Sequence, residues 1–253
     1  MATRPISLID PCTPMKRSWG KALSALRRLL ANGDDTEQVF RIMRALNGDA
    51  TQRSYRKLLS VPGGGRQAYR RLELAERLSD RSWIDALPDG SVGASYRAFL
   101  DSTGYSAQGL VQVSMTDGGF EGFDPEHPYT WMGRRERDIH DIWHVLTGYK
   151  ADEHLGEACL VAFSYAQTGG LGWGFIALGA MLKSVRITGR LDFLKAVAEG
   201  YRRGKQAKWL HAEDYEALLA EPLEMARRRL NIVPPRRYQI AQASLAAAGL
   251  TGI

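Results

Sequence analysis

Between Arg134 and Glu157 the chain reads RRERDIHDIWHVLTGYKADEHLGE, and within it His140, Asp141 and His144 fall inside a single helical turn. Successive helical residues are about 100° apart, so His140 and His144 stack at i and i+4 with Asp141 beside them. Two imidazole nitrogens and a carboxylate suit a borderline cation such as zinc, and a further ligand from a neighbouring helix would close the shell. Glu157, just beyond the glycine break at Gly148, is the candidate for that position.

The same pattern also fits a helix with no metal. Ile139, Ile142, Trp143 and Leu146 form an apolar stripe on nearly the opposite side, so Arg137, His140, Asp141 and His144 could form a solvated face. The two readings differ in whether another element covers the polar face. Leu155-Gly156-Glu157 opens a helix through Ala158, Leu160, Val161, Phe163 and Ala166 that could supply the cover. Glu153 and His154 precede this helix as further candidate ligands. His127 lies in a Pro-flanked loop and reads as a surface residue.

The elements that must position these residues are helical throughout. Leu23, Leu26, Leu29 and Leu30 recur at helical spacing after Ser18, a candidate N-cap, and Asn32-Gly33 ends that run. Val39, Phe40, Ile42, Met43 and Leu46 continue the pattern, and a short helix is predicted over 51–59. Pro62-Gly63-Gly64-Gly65 reads as a turn, since the lysine and Ser/Thr of a phosphate-binding loop are missing. One helix is predicted over 66–78, another after Ser91, and a long central one over 136–148. The segment 109–115 alternates weakly, as a strand would, and 117–128 reads as loop. GGLGWGFIALGAML at 169–182 is the most apolar stretch; with Lys183, Arg186 and Arg190 after it, it suits either a lipid-lined channel or a closely packed core helix. Helices are predicted over 191–204 and 212–230. The fold class expected is all-α, a single-domain multi-helix bundle over 18–233 between an N-terminal tail (1–17) and a C-terminal tail (234–253).

The chain has 253 residues, 44% hydrophobic and 25% charged, an ordinary globular composition. Its net charge of +6 comes without a helix-turn-helix, zinc-finger or RNA-binding signature, so a solvated basic surface is expected and no nucleic-acid partner. Cys12 and Cys159 are far apart, which excludes a disulfide framework and a thiolate zinc site. No run reaches the roughly 20 apolar residues of a membrane span, and the basic start resembles a transit peptide only weakly, given Asp10 and three early prolines.

His140-Asp141-Ile142-Trp143-His144 followed by Leu155-Gly156-Glu157 resembles the ubiquinone (coenzyme Q) biosynthesis protein 4 family, whose hallmark is HDxxH with a glutamate about a dozen residues on. LPDGSVGASY at 87–96 and EDYEALLAEPLEMARRRLNI at 213–232 look like further family segments. Twelve residues separate His144 from Glu157, one more than the family's usual spacing, the extra residue falling in the loop at 150–154.

The resemblance implies an all-α protein with an apolar lipid-binding cavity and a divalent cation held by His140, Asp141, His144 and Glu157. Zinc is the first choice for that cation, with iron or magnesium as alternatives. It implies action on a prenylated hydroxybenzoate, by oxidative decarboxylation and hydroxylation at ring C1, with Arg137 beside the site. The competing family view is a non-catalytic scaffold for lipid intermediates and other ubiquinone-biosynthesis enzymes. Peripheral contact with a bacterial inner membrane, or a mitochondrial one in a eukaryote, and assembly as a homo-oligomer complete the expectation. A metal phosphohydrolase of the HD type fits poorly, because it needs an upstream histidine and His127 is the only earlier one.

Overall fold

A computed structural model describes residues 10, 12–33, 35–115, 123–188, 191–247 and 249. Sixteen α-helices and a short 3₁₀ turn at Leu210–Ala212 are found among them, with no strand, so the all-α expectation holds. Helices α1 (Trp19–Ala31) and α2 (Thr36–Leu46) form an antiparallel pair. Ala22, Ala25, Leu26 and Leu29 of α1 are buried at i, i+3, i+4 and i+7; of the leucines read as its apolar stripe, Leu26 and Leu29 face the core while Leu23 is 42% exposed. Helices α3 (Ala50–Ser60), α4 (Gly64–Arg70), α5 (Leu74–Ser79), α6 (Arg81–Asp85), α7 (Val92–Thr103) and α8 (Ala107–Met115) follow.

Two expectations fail in this first half. Residues 109–115 are helical, not extended; Ser106 Oγ accepts the Gly109 N–H at 3.0 Å and Ser114 is buried. A short apolar run has no period long enough to separate strand from helix. The helix expected over 66–78 is two, because Arg71 turns the backbone left-handed at φ +43°. The loop expected over 117–128 lies mostly outside the described residues; 124–127 are non-helical. Of the expected N-terminal tail, 12–17 carry no regular structure. Ser18 stands at the N-cap position of α1 but makes no side-chain cap bond, whereas Ser91 Oγ does cap α7, accepting from Ala94 N at 3.0 Å.

The predicted long central helix is broken. Helix α9 (Pro128–Asp138) ends and α10 (His140–Thr147) begins across a turn at Ile139. Helix α10 then ends at Gly148, which at φ +75° donates its N–H to His144 O at 2.9 Å, a left-handed cap suited to glycine. The next carbonyls of α10 are taken by arginines: Arg227 donates to Val145 O at 2.9 Å and Leu146 O at 3.0 Å, and Arg203 to Thr147 O at 2.8 Å. Cationic donors at a helix C-terminus satisfy its orphan carbonyls and oppose its dipole. Arg227, one of the arginines behind the positive net charge, is thus not simply solvated surface but holds the site helix.

Helix α11 (His154–Thr168) is almost wholly buried and packs chiefly on α13 (Asp192–Gln206) and α12 (Leu171–Thr188). Gly156 makes its start possible, since a Cβ there would meet the backbone of Lys150. The helix predicted over 212–230 is split by Pro222 into α14 (Tyr215–Ala220) and α15 (Leu223–Arg229). Ser91 bridges to Pro222, so the two segments 87–96 and 213–232 touch each other beside α10.

Beyond Pro234-Pro235, read as a tail, stands a packed helix, α16 (Arg236–Ala247), with Tyr238 2% exposed. Its Tyr238 hydroxyl donates to Glu153 Oε2 at 2.9 Å and Gln242 donates to the same carboxylate at 2.7 Å, clamping the loop that leads into α11. No helix among the described residues is long and apolar enough to cross a membrane.

Candidate metal centre

The solvated-face reading of α10 does not survive. Asp141 is 7% exposed and His144 2%, and Phe99 of α7 stacks on the His144 ring at 5.8 Å. The helix is fixed on its other side by Trp143, whose indole N–H donates to Tyr215 OH at 2.8 Å. That leaves the polar face turned towards α11 and α12. Glu157, in the first turn of α11, meets it: His144 Nε2 lies 3.2 Å and His140 Nε2 3.8 Å from the two Glu157 carboxylate oxygens.

One donor atom from each of His140, His144 and Glu157 lies within 4.8 Å of the others, a set that could hold a metal ion. His144 fits this best. Its Nδ1–H donates to Tyr149 O at 2.9 Å, which fixes the tautomer and leaves the lone pair on Nε2, a buried atom with no hydrogen-bond partner. His140 is held in plane by Trp173 of α12, the rings stacked at 5.5 Å and 8°. An orphaned imidazole nitrogen, a second oriented imidazole and a carboxylate form an N/O donor set suited to zinc or another first-row divalent ion.

Asp141 lines the same cavity but is not part of this three-donor cluster. Burial pushes its carboxyl upward against the pull of His140 and His144. Burial acts the same way on Glu157, yet there the two imidazoles outweigh it and hold the carboxyl well below the usual range. Burial would lower His144, but Glu157 and Asp141 beside it raise it. His144 and Glu157 thus stabilise each other's charged forms, and His140 adds to the hold on Glu157.

Arg137, one turn before Asp141, could by its position orient Asp141, pair with a substrate carboxylate or lie on the surface. It is buried and paired with its neighbour, Nε donating to Asp138 Oδ1 at 2.7 Å and NH1 to Ser114 Oγ at 2.9 Å, while still lining the cavity. Of the other candidates, Glu153 is engaged by α16 and Lys150, His154 is exposed, and both line the cavity outside the cluster. His127 caps α9, its Nδ1 accepting from Tyr129 N at 3.2 Å.

The cavity has a volume of about 1070 Å³. The donors sit on one wall; Leu29, Leu30, Phe40, Met43, Ile176 and Phe193 supply apolar surface elsewhere. Trp173 and Ile176 come from the apolar 169–182 stretch, so that stretch is both a core helix and a cavity wall. Sequence reasoning missed Glu136, which lines the cavity at i−4 from His140, a position the helical period marks. It also missed His211, wholly buried beside Glu136, for which no local pattern gave a signal.

Residues 11–236 match the model of the family described as coenzyme Q (ubiquinone) biosynthesis protein Coq4. Among similar proteins, the mitochondrial ubiquinone biosynthesis protein COQ4 homolog of Rattus norvegicus is 27% identical over 180 residues, 70% of this chain and 63% of that protein. Its Danio rerio counterpart is 30% identical over 159 residues, 62% of this chain and 54% of that protein. The COQ4 protein of Yarrowia lipolytica is 29% identical over 198 residues, 74% of this chain and 71% of that protein. The chain therefore spans less than two thirds of the rat and zebrafish relatives. A crystal structure from Nostoc punctiforme, assigned to ubiquinone biosynthesis, superposes with a TM-score of 0.63 at 21% identity over 86% of this chain and 99% of that one, which supports the fold. With the family model matching nearly its whole length, the chain belongs to the coenzyme Q (ubiquinone) biosynthesis protein Coq4 family.

Proposed function

We propose that the chain acts in ubiquinone biosynthesis on a prenylated hydroxybenzoate intermediate, exchanging the ring C1 carboxylate for a hydroxyl in a metal-dependent oxidative decarboxylation: the C1–carboxyl bond breaks to release carbon dioxide, a C1–O bond forms, and dioxygen takes up the two electrons and leaves as hydrogen peroxide. The observation that carries this reading is the convergence of His140, His144 and Glu157 on the wall of a large, largely apolar cavity. A cation held by these residues with Asp141 supplies, when bound, Lewis-acid polarisation of a carboxylate or phenolate oxygen, and iron would add the redox activity that zinc lacks.

The chain's own residues divide the remaining work. Arg137, held rigid by Asp138 and Ser114, presents a guanidinium to the cavity that can pair with the ring carboxylate. Trp173 fixes the His140 ring and offers an aromatic wall. Leu29, Leu30, Phe40 and Ile176 accept the prenyl tail, removing apolar surface from water at about 25 cal/mol per Å². Helices α7 and α11 bury His144, which strengthens its electrostatics, while His140 and Glu157 keep access to the cavity.

Purified chain supplied with a divalent metal, oxygen and a short-chain prenylated hydroxybenzoate should release carbon dioxide and yield the C1-hydroxylated ring. His140→Ala and Asp141→Ala should stop turnover and, in cells, cause the C1-carboxylated precursor to accumulate. Normal ubiquinone levels in those variants would contradict the reading. Tight binding of the lipid with no turnover would leave the cavity as a carrier serving other enzymes.

A further inference from the structure

One helical turn before His140 the cavity wall carries polar atoms separate from the His140, His144 and Glu157 donors. Glu136 and Thr130 of α9 and Thr51 of α3 line the cavity there. The Ser54 and Thr51 hydroxyls lie near enough to the Glu136 carboxylate to favour its charged form, yet its Oε1 is buried without a hydrogen-bond partner, as is Thr130 Oγ1. Behind Glu136 stands His211, 0% exposed, with Nε2 3.6 Å from Glu136 Oε1, too far for a hydrogen bond, and with both ring nitrogens unpartnered. Trp209 stacks on the His211 ring at 5.1 Å and Trp143 meets it edge-on at 5.2 Å, so His211 has no freedom to find another partner.

Buried polar groups in folded proteins are nearly always hydrogen-bonded, and a cluster of orphans calls for a missing partner. The chemistry around this cluster selects among partners. Burial lifts the Glu136 carboxyl to about 7, so a ligand carboxylate there would meet a group that is itself ionising. An ammonium would join Arg135 and Lys57, whose charges already help burial hold His211 neutral at about 3. A hydroxyl adds no charge, donates to Glu136 and accepts from Thr130.

We propose that Glu136, flanked by Thr130 and backed by His211, is a hydrogen-bonding subsite for a ring hydroxyl of the cavity's ligand. It rests on the proposed function only in requiring a hydroxylated, prenylated ring. Glu136 and His140 line the same cavity on either side of the turn at Ile139, so a six-membered ring with oxygens at opposite positions can address both faces.

The test uses geranylhydroquinone and geranylphenol, which differ by one hydroxyl, titrated into the full chain with chelator present and followed by tryptophan fluorescence. The intact protein should bind the hydroquinone at least about tenfold more tightly, a difference of about 1.4 kcal/mol. Glu136→Leu should erase that ratio by weakening the hydroquinone to the level of the phenol, Glu136→Gln should retain part of it, and Tyr69→Ala, at an 88% exposed position away from the cavity, should leave it unchanged. A ratio near unity in the unmutated chain, which requires no variant to fold, overturns the subsite while the cavity reading stands. So does a full ratio in Glu136→Leu. Failure of both probes to bind overturns the cavity reading and the subsite with it.

Discussion

Replacing Gly156 with alanine sets two effects of opposite sign against each other. Alanine in a helix interior is worth about 1 kcal/mol over glycine, so propensity alone predicts stabilisation. The added Cβ, however, would lie 2.9 Å from both N and C of Lys150 and nearer still to its carbonyl oxygen. Ordinary contact begins at 3.4 Å, so N and C of Lys150 must each retreat by 0.5 Å and its carbonyl oxygen by more than twice that. Overpacking of this kind costs about 1–3 kcal/mol. The adjacent Tyr149 carbonyl holds His144 Nδ1, and loosening that bond adds about 1 kcal/mol. Gly156→Ala should therefore lower stability by about 1–3 kcal/mol net, roughly 2–12 °C in Tm for a domain of this size.

The same displacement unlocks the His144 ring, and loss of such an orienting partner typically weakens a metal site about 10–100-fold. Cobalt titration followed by visible absorption measures this. Gly204→Ala is the control, since its Cβ would lie 2.6 Å from Phe163 O, well along α11 from Glu157. It should lose comparable stability and retain cobalt affinity. A Gly156→Ala protein that melts higher than the unmutated chain, or binds cobalt equally well, would refute the reasoning.

Three further outcomes follow from the geometry. Arg203→Met should cost about 3–5 kcal/mol in urea denaturation, because a buried guanidinium donating to Val233 O and Thr147 O leaves those carbonyls orphaned at the end of α10. His211 is held neutral at about 3 by burial, then by Arg135 and Lys57, against 6.5 unfolded. The unfolded chain thus binds more protons between these values, stability falls as pH drops from 6.5 towards 3, and His211→Gln should flatten that limb in denaturation curves taken across the window. Trp173→Phe should abolish most of the fluorescence quenching that cobalt causes, since Trp173 stacks directly on His140; unchanged quenching would place the ion elsewhere.

The helical period carried much of the architecture and the pairing of His140 with His144, because both depend on local spacing. It missed the break at Ile139, which no proline or glycine announces, while the break at Pro222 did have a readable signal. Arg71 adopts a left-handed conformation that its residue type does not suggest. The role of α16 was invisible because Tyr238 acts on Glu153, far away in sequence. Arg137 showed the limit of helical adjacency: one turn before Asp141 it nevertheless turns to Asp138, which also accepts the Ala75 N–H at 3.2 Å from another helix. Burial of the polar face, which separates a ligand set from a solvated surface, is likewise a property of the neighbouring helices α7, α11 and α12.

The central claim is that His140, His144 and Glu157 form one cation site. Elemental analysis of the purified chain after dialysis against zinc or ferrous iron tests it most directly, run beside His144→Ala and Glu157→Ala with circular dichroism to verify folding. The account predicts a single divalent ion retained per unmutated chain and its loss in both folded variants. An unmutated chain that retains no ion, or folded variants that retain it undiminished, would contradict it.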